Sequence, residues 1–160
     1  AVRAGPLKSS SLVARRLGAT RMMIVAAPAY LARHGMPQSA DALQAHNRLD
    51  IAHPRAQSGW PLVVDGERQV VQTGGSARAS DGEALRRLVL GGVGLARLAA
   101  FQVQADVAAG HLLPVLEQAN PGDLEEVHAV FQGQGGYLPL RVRALLDYLM
   151  THVDLAKPLG

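Results

Sequence analysis

The chain has 160 residues, 48% of them hydrophobic, with no Cys and a formal net charge of +3 at pH 7. That length suits one domain, or two small lobes sharing a core, and no apolar stretch is long enough to span a bilayer. A disulfide framework and a thiolate metal site are excluded; the lack of Cys and the polar N-terminal residues fit a cytoplasmic, reducing location rather than export.

Taken in order, the residues up to Ala4 are strand-like and enter a turn at Gly5-Pro6. Leu12 to Leu17 and Arg21 to Ala27 read as two strands joined at Gly18, and the apolar run from Met22 to Ala26 as a strand buried on both faces. Pro28 suits a first helical residue, and Gly35 stops that short helix. Ser39 caps a second one over Ala40 to His46. A strand from Asn47 to Ala52 follows. Asp65-Gly66, between two Val-rich segments within Pro61 to Gln72, is a two-residue hairpin turn.

The stretch from Ser80 to Leu98 is the most informative. Ser80 and Glu83 have capping-box spacing before a helix over Asp81 to Leu90, Gly91 and Gly92 supply a left-handed stop, and Gly94 to Leu98 is a buried strand. A helix from Phe101 to Ala109 is closed by Gly110, with a strand over His111 to Leu116 and another over Val127 to Gln132. The longest helix, Leu138 to Val153, repeats Val142, Leu145, Leu146, Leu149 and Val153 at helical spacing. Alternating strands and helices predict an α/β fold with a largely parallel sheet.

The chemistry-bearing residues point away from catalysis. The basic residues other than Lys8 and Lys157 are all Arg, dispersed along the chain as on a solvated surface, whereas a nucleic-acid footprint clusters its charge. Two Phe, three Tyr and one Trp are too few for a base-stacking platform. His34, His46, His53, His111, His128 and His152 lack metal-ligand spacing, with Glu125 and Glu126 before His128 the nearest carboxylates, so no metal or cofactor is expected. Gly92-Val-Gly94-Leu-Ala-Arg97 follows a helix and fails as a dinucleotide fingerprint. Ser9, Ser10 and Ser11 are turn residues. Asp81 and Glu83 lie in a first helical turn, where acids favour the helix dipole. Pro28 and Ser80 sit at helix starts, where backbone donors either hold a ligand or are simply capped.

The order of the segments Val2-Arg-Ala-Gly-Pro-Leu, Ser11-Leu-Val-Ala-Arg-Arg-Leu-Gly18, Ala26-Ala-Pro-Ala-Tyr-Leu-Ala-Arg-His-Gly35, Ser80-Asp-Gly-Glu-Ala-Leu85, Gly91-Gly-Val-Gly-Leu-Ala96, Ala108-Ala-Gly-His-Leu-Leu-Pro-Val-Leu116 and Leu140-Arg-Val-Arg-Ala-Leu-Leu-Asp-Tyr-Leu149 resembles the effector-sensing domain of LysR-type transcriptional regulators. The resemblance implies a type 2 periplasmic-binding-protein-like α/β fold of two lobes, lobe two complete and lobe one partial. Residues 1–27 would be part of lobe one with a crossover strand, residues 28–120 lobe two, and residues 121–160 the return crossover and the C-terminal helix of lobe one.

It further implies a small-molecule effector, an organic anion, held between the lobes, with Arg3 as a guanidinium clamp. Ala27 and Pro28 would form the crossover rim, Ser80 and Asp81 a helix-start contact, and Gly94 and Leu95 the floor. Ala84, Leu85, Leu88 and Val89 would face a second copy in a homodimer or homotetramer. DNA binding would belong to an N-terminal helix-turn-helix domain outside this chain. The chain departs from the family pattern at Ser80, where Asn is frequent, and at Ala99, where Pro is frequent. A periplasmic solute-binding protein is the alternative on the same fold logic. A small α/β enzyme would need a nucleophile and base that the residues do not supply.

Overall fold

A short strand, β1 (Val2–Ala4), precedes the 15-residue β2 (Leu12–Ala26), which organises everything that follows. The computed structural model describes residues 1–5, 12–52, 59–132 and 138–155; readings on Pro6, Ser9, Ser10, Ser11 and His53 lie outside the described residues. After β2 come α1 (Pro28–His34), a 3-10 turn (Asp41–Ala45), β3 (Asp50–Ile51), β4 (Trp60–Val64), β5 (Glu67–Val71), β6 (Arg78–Ala79) and α2 (Gly82–Leu90). Then follow β7 (Leu95–Ala99), α3 (Ala100–Ala108), β8 (Leu113–Pro114), β9 (Leu124–Gln132) and α4 (Leu140–His152).

The two strands expected over Leu12 to Leu17 and Arg21 to Ala27 are one. Gly18 marks an irregularity within it, since the register against β9 shifts between Arg16 and Gly18. One extra residue on one side of a ladder bends a strand without ending it.

The expected parallel sheet is not what forms. The main sheet runs β1-β9-β2-β7 with β8 also on β2, and each of these pairings is antiparallel. Among the described residues, parallel pairing is confined to β3 with β6 and an Arg48–Leu95 bridge. The reason is the course of the chain: β2 runs outward, and β7 and β9 both run back along it. Alternation of helices and strands reports layers, and not strand direction.

Partner exchange along β2 divides the molecule into its two lobes. From Leu12 to Arg21 it pairs with β9, and from Met22 to Ala26 with β7. Beyond that switch, alternate residues of β2 feed two cores, as the period of two requires. Met23 and Val25 pack with Leu49, Leu85, Val89 and Leu98; Ile24 and Ala26 pack with Tyr30, Leu43, Trp60, Leu62 and Val115. The other lobe consists of β1, β9, the first part of β2 and α4.

Local signals explain the smaller elements. Asp65 and Gly66 both adopt positive φ (52° and 82°), as a tight hairpin turn between β4 and β5 demands. Ser39 Oγ accepts from the Ala42 N–H (3.2 Å) at the 3-10 turn. At the end of α2, Gly91 stays right-handed (φ −71°), and Gly92 alone supplies the left-handed residue (φ 70°) expected of both. Of the expected strands over Asn47 to Ala52 and His111 to Leu116, only Asp50–Ile51 and Leu113–Pro114 are ladders.

Candidate functional site

The start of α2 is closed by its own residues. Asp81, and not Ser80, is the N-cap: its carboxylate accepts from the Ala84 N–H (2.9 Å), while the Ser80 hydroxyl donates to the same carboxylate (2.8 Å). These two donors hold the Asp81 carboxyl below its ordinary pKa. A negative charge therefore already occupies the helix start. Glu83, expected to reach back to Ser80, pairs instead with Arg87 (2.9 Å) and Arg86 (3.3 Å), and its pKa is lowered mainly by Arg87.

Register places the other expected contacts at the end of lobe two farther from the strand switch. The β2–β7 ladder opens at the switch with Met22 opposite Ala99 and closes with Ala26 opposite Leu95. Ala27 and Pro28 lie six and seven residues beyond Arg21, roughly 20 Å along an extended strand. Leu95 is fully buried. Gly94 packs blind against the neighbouring backbone: a Cβ there would stand 2.3 Å from the Asn47 carbonyl oxygen. Gly94 is thus required for the close approach of Asn47 to Leu49 onto β7.

What gathers at the switch is different. Thr20 is buried, and its hydroxyl accepts from the Phe101 N–H (3.4 Å) at the start of α3, a helix with no side-chain cap. Arg97 is almost fully buried and paired with Asp123, which also lies 3.8 Å from Arg68 of β5. Arg21 pairs with Glu117, and the Asn120 side-chain amide donates to the Met22 carbonyl (2.8 Å). Glu125 stands opposite Thr20, and burial pushes its carboxyl upward in pKa although Arg97 pulls the other way. Dispersed Arg in the sequence gave no hint of this cluster, because its partners are 26 and 96 positions away.

Arg3 lies about 10 Å from that row, judged from three strand positions. It is opposite His128 on β9, which in turn is opposite Arg16 on β2. Arg15 meets Asp147 of α4 (3.9 Å), so this neighbouring row faces away from α4. His128 is buried with Nδ1 unpartnered and Nε2 3.6 Å from Glu126, whose other oxygen accepts from Arg16 (2.9 Å). Between the sheet and α4 lies an apolar cavity of about 150 Å³, lined by Val2, Ala129, Phe131, Val142, Leu145 and Leu149 among others. No group of three or more His, Asp or Glu among the described residues is placed to hold a metal ion.

The four α2 residues expected to face a second copy differ in exposure. Leu85 and Val89 are buried in the chain's own core, leaving Ala84 and Leu88 half-exposed. Arg86 points inward and forks onto buried Asp106 of α3 (2.6 and 2.9 Å), which raises the guanidinium's pKa.

The two-lobed arrangement, with a shared strand exchanging partners between lobes, defines a binding-protein-like sensor domain. The profile of the LysR substrate binding domain matches residues 1–154, and the chain belongs to that family. It is 38% identical over 153 residues to the HTH-type transcriptional regulator CrgA of Neisseria meningitidis serogroup C, covering 96% of this chain and 50% of that protein. PtxR of Pseudomonas aeruginosa, another HTH-type transcriptional regulator, is 34% identical over 161 residues, covering 96% and 48%. The chain therefore spans about half the length of the curated relatives it matches. Among solved structures, the CrgA regulatory domain superposes with a TM-score of 0.85 at 34% identity, covering 96% of this chain and 74% of that one. Full-length AphB of Vibrio cholerae, a LysR-family virulence activator, gives 0.78 at 26%, covering 94% and 51%.

Proposed function

We propose that this chain is the effector-sensing part of a LysR-type transcriptional regulator, a non-catalytic domain that binds a small organic anion between its lobes. The observation that carries this reading is the partner exchange of β2 at Arg21 and Met22, in a chain of this family. A single strand common to both lobes makes their junction the place where a ligand touching both can change their relative orientation. Ligand acts on such an equilibrium only through unequal affinity for the two arrangements.

On this reading the contacts belong near the switch, with Arg3 and Thr20 on the β9 lobe and Phe101 at the start of α3 on the other. The half-exposed Ala84 and Leu88 of α2 would meet a second copy in a homodimer or homotetramer. DNA contact would be made by a helix-turn-helix domain outside this chain, in the cytoplasm; no helix of the described residues is long and apolar enough to cross a membrane.

The test is calorimetric titration of the parent regulator with a panel of small carboxylates, repeated on Arg3→Ala. Loss of a charged hydrogen-bonded pair should weaken the best ligand by about ten- to a hundredfold. Unchanged affinity would remove Arg3 from the site, and silence across the panel would remove the organic-anion reading.

A further inference from the structure

Tyr30 of α1 is buried, and its hydroxyl joins two otherwise separate parts of lobe two. The hydroxyl oxygen accepts from the Asn47 backbone N–H (2.9 Å) and lies 3.3 Å from His46 Nδ1. With the imidazole neutral and its proton on Nε2, Nδ1 accepts the Tyr30 hydroxyl proton while the oxygen accepts from Asn47. His34, one turn along α1, stacks on the Tyr30 ring at 4.4 Å between centroids.

Asn47 is the second half of the junction. Its carbonyl accepts from the Leu95 N–H of β7 (2.9 Å), and its side chain holds Val93 O (2.7 Å) and both the N–H and hydroxyl of Ser76 (2.8 and 2.9 Å). One residue thus ties α1 to β7 and to the segment that leads into β6 and α2.

We propose that the Tyr30–His46–Asn47 junction is an acid-released latch, in which protonation of His46 unpins the Asn47 segment from α1. Once protonated, Nδ1 becomes a donor facing a hydroxyl whose own proton then has no acceptor, and leaving a buried donor unmade is costly. The new charge would also stand among other basic groups. The titratable and charged neighbours of His46 are Tyr30 and His34 from α1 and Arg48 from the following segment, and no carboxylate pairs with His46 among the described residues. Arg33, also on α1, is turned to the carbonyls of Ala29 and Gly92.

Burial first, then His34 and Arg48, hold His46 below the ordinary imidazole value of 6.5. The folded-state pKa is therefore lower than the unfolded one. The stability this junction contributes is fully present above pH 6.5 and is lost as pH falls through that value toward the folded-state one. The latch is separate from the effector site and would act whether that site is empty or filled.

Amide hydrogen exchange of the intact protein, corrected for intrinsic rates, reads the latch directly. Between pH 7.5 and 5.5, protection at Asn47 should fall by roughly three- to tenfold, the worth of one hydrogen bond, while Val25 and Leu98 hold theirs. His46→Gln should abolish that pH dependence, and His34→Gln should retain it. A His46→Gln protein with wild-type dependence would overturn the latch. Should His46→Gln fail to fold, NMR titration of the unaltered protein decides. A His46 midpoint below 6.5, shared by the Asn47 amide shift, supports the latch; a higher midpoint, or an unmoved Asn47, overturns it.

Discussion

The two ends of β2 sit in unequal surroundings. Past Met22 the strand is covered on both faces by side chains of the chain itself, and two cores close around it. Before Arg21 it belongs to a single layer with one helix, and Leu140, Leu145, Tyr148 and Met150 of α4 stay exposed beside Val2 and Val13. Burial of apolar surface is the dominant favourable term in folding. Cohesion of this chain is therefore concentrated in lobe two, while the other lobe offers surface rather than core.

The sharpest way to break that contrast is a pair of truncations. Leu98→Ala, at a position 1% exposed, should cost about 2–5 kcal/mol in urea denaturation of the chain. Leu145→Ala, 58% exposed, should fall within about 0.5 kcal/mol. Equal costs would mean that the α4 face is covered in solution.

Next in size is Asp106→Asn, which strands Arg86 between α2 and α3. Breaking a buried pair at one partner costs about 3 kcal/mol, and the same denaturation should resolve it. Removing the exposed partner with Glu83→Gln should leave stability unchanged; a large loss there would move the anchorage of α2 to its surface.

The smallest effect sharpens the boundary between the lobes. Burial raises the pKa of Glu125 in the folded protein, so its proton is held more tightly there than in the unfolded chain. Its contribution to stability is then present at acid pH and is lost as pH rises through the folded-state value. Glu125→Gln should raise the melting temperature modestly at pH 7, with the gain vanishing near pH 4. A lower melting temperature at pH 7 would show that attraction to Arg97 outweighs desolvation.

Short-range signals were legible in the sequence. Asp65-Gly66 makes its hairpin, Pro28 opens α1, and Ser39 caps its turn, because each depends on neighbours within three residues. Helix α2 is visible in the sequence, but its cap lies one residue on from the Ser-x-x-Glu signal, because the charged oxygen of Asp81 is the stronger acceptor for the Ala84 N–H. Family resemblance supplied the two-lobed fold, and strand direction did not follow from alternation alone. The position of the expected contacts is set by register, which no local signal carries. Gly94 and Leu95 occur at the start of β7, and only the antiparallel ladder shows that this end points away from the switch. The Tyr30–His46 contact spans 16 positions and the Arg97–Asp123 pair 26, beyond any local spacing rule.

Because Leu12–Ala26 is one hydrogen-bonded strand, the lobes are not joined by a linker in the ordinary sense. Cutting or recombining the gene between them would split a ladder and leave raw strand edges on both products, a template for aggregation. Exchanging one lobe for a relative's would take two junctions, one within β2 and one before β9, so inheritance of the whole region as one block is the natural outcome for such an architecture.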